Sequence, residues 1–441
     1  MPKIRFATFG LVAAALIAVG LPAGAGHTTD PRTNNLHPMG HIEEPASLLN
    51  PAVGNINIHT DIAFWGKLAF QGTWNGFNIR DVTAPGNPKH VSFTSCLGPQ
   101  GDVVVWGDIL VRTWDVPAGT AGPFGAGLVC DGQPVPAGFE GVHVFDITDV
   151  SDPELVASVN LSAGSPAASC GTHTATAVPD PENDRLLVYS SNSNTPCPWF
   201  DIVEVPLDNP AGAAWLRREP SDHTCHDIGV ILGDVMKAAC AGGEGVRVFS
   251  LEGGGASLED PQLLFHVEEP GVTVGHSAAW SWDGEVIVFG HEPGGGVAPR
   301  CQATSAPVDR TMFFYDGDTG AKLGQWTLPR TQSGTENCTI HNYNVVPLRS
   351  GRYVVVHGSY QSGTSVVDFT DPANAVELAF SDPPPIVPTD LGGAWSSYWY
   401  NNFIHETNIT EGLNIFRFSG SQTAGAMRLG HLNPQTQEFS L

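Results

Sequence analysis

Of the sixteen histidines in this 441-residue chain, four fall in matching local contexts. His173 lies in GTHTATAV, His226 in CHDIGV, His276 in GHSAAW and His341 in IHNYNVV, and each opens a short apolar run. Their spacings of 53, 50 and 65 residues are on the scale of one supersecondary unit per repeat. If such units are arranged about an axis, the four imidazoles converge. Neutral imidazole suits zinc, copper, iron and nickel, so His173, His226, His276 and His341 are a candidate site for a transition metal ion (Fe, Cu or Zn). None of the four brings a carboxylate with it as a ligand. Ligands gathered on one side leave coordination positions open for a small-molecule substrate, and a metal-dependent oxidoreductase is the activity that follows.

The elements that must position these residues show in a second repeat. GFNIRDVTAPGNPKHVSF (76–93), GVHVFDITDVSDPELVASV (141–159) and SVVDFTDPANAVELAF (365–380) each carry a strand that ends in Asp, then a Pro-containing turn and another apolar strand. Weaker copies are DIVEVPLDNP, GVRVFSLEGG, MFFYDGDTG and LNIFRFSG, seven markers in all. From Asp81 in the first to Arg417 in the last, the mean interval is 56 residues, which accommodates four strands and their turns. Upstream segments such as DVVVWGDILVRTWD, DGEVIVFGHE and RYVVVHGSY are rich in Val, Ile, Phe and Trp and bounded by Gly, Asp or Pro, as buried antiparallel strands are. No segment sustains helical periodicity. The expected fold is all-β, a seven-bladed β-propeller of four-stranded antiparallel blades over residues 55–441, preceded by a linker over 26–54.

GFNIRDVTAPGNP, GVHVFDITDVSDP and SVVDFTDPANA, supported by GGAWSSYWYNNF (392–403), resemble the LVIVD-repeat proteins, named for a strand followed by an Asp-Val-Ser-Asp-Pro type turn. The resemblance runs from about His59 to Phe418 and implies an exported β-propeller, with no general reaction attached. EVPLDNP and FSLEGG lack the full turn and mark the middle blades less sharply. The histidine constellation, though not the sequence, is similar to the four-histidine iron centre of the carotenoid-cleaving oxygenases, which are also seven-bladed propellers.

Aligning the first strand of each blade pairs Thr60-Asp61, Gly101-Asp102, His173-Thr174, His226-Asp227, His276-Ser277, His341-Asn342 and Ala394-Trp395. Second strands end at the same mouth, which brings in His291, Glu292, His357, His405 and Glu406. Together with Asp227 these are candidates to orient the ligating rings or to move protons. Trp395, Tyr398, Trp399 and Tyr400 read first as packing between blades, with the lining of a substrate funnel as the alternative. Eight cysteines in an exported chain favour disulfides. Their positions at the ends of paired strands suggest sequential bridges, Cys96 to Cys130, Cys170 to Cys197, Cys225 to Cys240 and Cys301 to Cys338; a Cys225/His226 metal site is the rival.

The N-terminus reads as a signal peptide over 1–25: Lys3 and Arg5, an apolar stretch from Phe6 to Val19, and small residues at Ala23 and Ala25. No later stretch reaches the roughly 18 apolar residues of a membrane span, so the mature chain is expected to be secreted, without a membrane span and monomeric. A formal net charge of −25 argues against nucleic acid and anionic membrane surfaces as partners. The alternative function is a non-catalytic extracellular propeller whose rim binds a protein or glycan partner.

Overall fold

A computed structural model describes residues 27–43, 58–119, 125, 127–162, 170–192, 197–386 and 391–441. The expected signal peptide therefore lies outside the described residues. Among them no helix is long and apolar enough to cross a membrane.

Strands pair in successive antiparallel meanders of four. His59–Trp65, Leu68–Thr73, Gly76–Asp81 and Lys89–Ser95 form the first, and Val103–Trp106, Ile109–Trp114, Gly141–Asp146 and Glu154–Asn160 the second. The third begins with Thr174–Asp180, the fourth with Asp227–Leu232, the fifth with Gly275–Trp280 and the sixth with Asn342–Val345. The last is Ala394–Tyr400, Phe403–Asn408 and Gly412–Phe418, joined to the sixth through the parallel pairs Asn342 to Ser396 and Tyr343 to Ser397. Each opening strand touches the opening strand of the next meander, and Ala394–Tyr400 touches His59–Trp65. The succession thus returns on itself around an axis, which is a β-propeller.

Burial follows from this arrangement. Opening strands such as Asp227–Leu232 and Gly275–Trp280 are buried almost throughout, whereas the outer strand Gln262–Glu268 is largely exposed. The apolar layers lie between meanders: Val104, Val111 and Val144 of the second pack with Ala175, Leu186 and Val188 of the third. The recurring Asp has a local cause. Asp81 accepts the Thr83 N–H at 2.8 Å, Asp146 that of Thr148 at 2.8 Å and Asp368 that of Thr370 at 2.9 Å, each bond closing a turn two residues on. Between third and fourth strands the register slips once, at Ile79/Arg80, Val144/Phe145, Ile202/Val203, Val248/Phe249, Phe314/Tyr315 and Val366/Val367. A bulge repeated at one place bends each outer strand the same way.

Strand pairing between the two ends of the chain completes the ring. Within the stretch read as a linker, Leu36–Ile42 is a strand that pairs with Gly412–Phe418 and supplies the fourth strand of the last meander. The C-terminal segment crosses the channel at the end away from the histidines. His431 and Leu432 pair with Trp65 and Phe64, Asn433 exchanges two 2.8 Å hydrogen bonds with the Val105 backbone, and the Thr436 hydroxyl donates to the Ala177 carbonyl at 2.7 Å. Gln437 donates to the Trp280 carbonyl at 3.1 Å. Thr436 and Gln437 also pair in parallel with Val230 and Ile231, so one segment binds the first five meanders together, and its two-residue strands carry no periodic signal of their own.

Candidate metal centre

The four histidines occupy one position of the repeat. His173, His226 and His341 stand immediately before the opening strands of the third, fourth and sixth meanders, and His276 is the second residue of the fifth. Their backbone N–H groups repeat one bond to the second strand: His173 to the Ser191 carbonyl at 2.6 Å, His226 to Ala241 at 2.6 Å and His341 to Gly358 at 3.0 Å. The side chains form an arc, with ring centroids 4.3 Å apart from His173 to His226, 4.1 Å from His226 to His276 and 4.3 Å from His276 to His341.

Two rings turn their Nδ1 outward onto a pure acceptor: His173 Nδ1 pairs with Asp115 at 2.9 Å and His341 Nδ1 meets the Trp395 carbonyl. A carbonyl or carboxylate can only accept, so in these neutral rings the proton is held on Nδ1 and Nε2 keeps its lone pair. His226 Nδ1 faces Asp227 at 3.5 Å without a hydrogen bond, and His276 Nδ1 meets the Ser277 hydroxyl, which also lies 3.2 Å from Asp227 and 3.0 Å from Asn342.

Glu292 stands with these lone pairs, not behind them. Its carboxylate lies 3.7 Å from His276 Nε2 and 3.5 Å from His341 Nε2, and the ligating atoms of His226, His276 and Glu292 all fall within 4.8 Å of one another. As the residue after a second strand, Glu292 reaches back to the first strands of its own and the next meander. Its other partner is Tyr360, whose hydroxyl donates to it at 2.6 Å. Tyr360 has φ 51° and is held by two backbone bonds with Ala394, at 2.9 and 2.8 Å. Gly296, at φ 70°, makes room for the pair; a Cβ there would come 2.2 Å from the Tyr360 hydroxyl oxygen.

The electrostatics separate the arc into two sides. Burial lowers His276 well below the usual histidine value, and the neighbouring rings His226, His341 and His173 push the same way. Burial also lowers His341, against the opposing pull of Glu292 and the Trp395 carbonyl. His173 is buried too, but Asp115 outweighs that effect and raises it, helped by Asp227 and Glu292. Asp227 is held below the usual carboxylate range: burial opposes this, and its bond to and charge interaction with His226 overcome it.

Other expected residues go elsewhere. His291 Nδ1 donates to the Val274 carbonyl at 3.1 Å, His357 pairs with Ser359 at 3.0 Å, and the His405 ring lies against Phe64 with centroids 4.8 Å apart. Glu406 belongs to a separate buried cluster, 3.1 Å from His27, and burial is outweighed there by His27, which brings the carboxyl down to about 2. Trp395, read first as packing, lines the cavity over the arc, while Tyr398 and Trp399 are buried. Asp115 and Tyr360 were not anticipated. Asp115 directly follows a second strand as Glu292 does, and that shared position is the signal that could have found it.

The four disulfides are those expected: Cys96–Cys130, Cys170–Cys197, Cys225–Cys240 and Cys301–Cys338. With no free cysteine, the Cys225/His226 metal pair is set aside. Cys225 fixes the residue before His226, and Cys338 ties the segment leading to His341 to the loop that follows Glu292.

Above the arc is a cavity of about 440 Å³, lined by the four histidines, Glu292, Tyr360 and Trp395 among others.

No family model matches this chain, and no curated protein matches it. Among solved structures it is similar to the computationally designed Ika8 protein (11% identity, 82% of this chain and 96% of the other, TM-score 0.45). It is also similar to a chain of the Mitotic Checkpoint Complex (12%, 94% and 98%, TM-score 0.48) and to the Dos1 propeller (12%, 82% and 78%, TM-score 0.47). The propeller assignment itself rests on the strand topology.

Proposed function

We propose that this chain is an exported, seven-bladed β-propeller of LVIVD-repeat type that binds one transition metal ion through His173, His226, His276, His341 and Glu292 and acts as a metal-dependent oxidoreductase on a small substrate. The blade count is supported by the successive four-stranded meanders, the last completed by Leu36–Ile42. Export is supported by the four disulfides and by the signal-like N-terminus.

One observation carries the metal reading. The Glu292 carboxylate lies 3.7 Å from His276 Nε2 and 3.5 Å from His341 Nε2, and the ligating atoms of His226, His276 and Glu292 fall within 4.8 Å of one another. Imidazole nitrogens gathered this closely about a carboxylate are what a cation would join. An ion of the iron, copper or zinc type suits imidazole with one carboxylate, and would supply Lewis acidity or, for iron and copper, one-electron chemistry. The chain's own part is to hold the rings by their Nδ1 atoms, to fix Glu292 through Tyr360, and to keep one side of the arc open to the cavity.

The test is elemental analysis of protein purified without a histidine tag. Near one transition metal per chain, lost in His226→Ala and in His276→Ala, is the expected result. Metal absent from the wild type, or retained in both variants, would contradict the proposal. Turnover is then sought by screening small substrates with and without air.

A further inference from the structure

Resting on the metal-site reading only for what forms the cavity floor, we infer that the cavity takes an uncharged aromatic molecule of one or two rings. The walls above the arc are Trp74, Val274, Val297, Tyr360, Leu391 and Trp395. Their planes are fixed: the Trp395 ring stands at 79° to His341 with centroids 5.0 Å apart, and at 90° to Tyr360 with centroids 6.3 Å apart. Flat, rigid walls of this kind favour a planar guest that stacks on one face and meets edges on the others. The volume, about 440 Å³, lies toward the lower end of small-molecule pockets and accommodates a bicyclic guest with room for an ordered water or two.

Charge excludes the alternatives in turn. Among the described residues lining the cavity there is no lysine or arginine. Without a metal ion on the floor, a carboxylate or phosphate on the guest finds no countercharge from a wall side chain, and the field of a chain with formal net charge −25 opposes its approach, so the comparison with charged guests is read on the metal-free chain. A cation would be drawn to indole faces and to Glu292, but it would share the floor with a metal ion. Entry is from the side of Val297, which is 67% exposed and follows three glycines with φ of 84°, 59° and 70°.

The experiment is calorimetric titration of the full chain, metal-free and metal-loaded, with 2-naphthol, 2-naphthoate and 2-naphthylmethylammonium. The expected result is that 2-naphthol binds even the metal-free chain and each charged analogue binds at least about tenfold more weakly. Trp395→Ala, which keeps the backbone carbonyl used by His341, weakens 2-naphthol by about tenfold. Val297→Asp, at an exposed position where folding is not at stake, does the same. A charged analogue binding as tightly as 2-naphthol, no binding of 2-naphthol, or binding unchanged in Val297→Asp overturns the inference. The two readings fail separately: 2-naphthol binding to a chain that takes up no metal removes only the metal site, and metal uptake without 2-naphthol binding removes only the aromatic guest.

Discussion

Two layers of side chains line the channel from adjacent positions of the same opening strands, and they differ in one respect. The upper layer is His173, His226, His276 and His341. The lower layer, one residue on or at the same place in the first two meanders, includes Asp61, Asp102, Thr174, Asp227, Ser277 and Asn342. In the lower layer most polar atoms are met by protein: Asp61 accepts from the Tyr398 hydroxyl at 2.9 Å, Gln435 at 2.7 Å and the Ile62 N–H at 2.9 Å. Asp102 accepts the Val103 and Ala175 N–H groups at 2.8 and 2.7 Å, and the Thr174 hydroxyl donates to the His226 carbonyl at 2.6 Å. In the upper layer the outward nitrogens of His173, His276 and His341 are met and the inward ones are not. Filled acceptors tie blades together, while lone pairs left facing a cavity are what a ligand uses.

That contrast is open to substitution. Removing an upper ring should have the largest effect: His226→Ala or His276→Ala is expected to weaken metal binding by at least about 100-fold, read by competition with a chelator, because a direct ligand exceeds the 10–100-fold typical of its supports. Glu292→Gln keeps size and the Tyr360 contact in part but loses the charge, and a loss of about 10-fold or more is expected in the same assay. A Glu292→Gln chain that binds metal as the wild type does would return Glu292 to a supporting place behind the rings.

The lower layer should answer in stability instead. Burial, partly opposed by its hydrogen bonds from Tyr398 and Gln435 and reinforced by the charge of Asp227, pushes Asp61 up to about 6. An acid whose folded value is raised leaves the folded state unpenalised below its unfolded value near 3.8 and penalised above its folded value. The contribution of Asp61 therefore falls between about pH 4 and pH 6, by up to about 3 kcal/mol. Urea denaturation of wild type and Asp61→Asn across that window should give a difference that moves in favour of Asn as pH rises; a difference independent of pH would contradict it. The smallest effect is expected at Thr174→Val, which gives up two hydrogen bonds, to the His226 carbonyl and the Ser191 hydroxyl, worth about 1 kcal/mol each, and should leave metal affinity unchanged. A drop in metal affinity there would join the two layers into one unit.

How far these features were legible in the sequence follows from their range. The histidines were legible because they repeat at one strand position, and the strand-ending Asp because its turn closes two residues away. The disulfides followed once strands were paired as hairpins, since Cys225 and Cys240 then stand at neighbouring strand ends. Glu292 was seen, but its place among the lone pairs depends on how a residue beyond a strand end turns back, which no pattern encodes. Leu36–Ile42 was read as linker because the stretch around it is polar and Pro-containing, and its strand partner lies at the far end of the chain. The channel-crossing tail escaped for the same reason: it is held by one or two hydrogen bonds at a time to several meanders, such as Asn433 to Val105, and not by a strand long enough to show a period.

The most direct test of the central claim is X-ray absorption at the edge of the metal that co-purifies with the chain. The expected spectrum has nitrogen and oxygen neighbours with the multiple-scattering pattern of several imidazoles, and the edge is lost in His276→Ala together with the metal. A metal surrounded by oxygen alone, or a spectrum unchanged in His276→Ala, would contradict it.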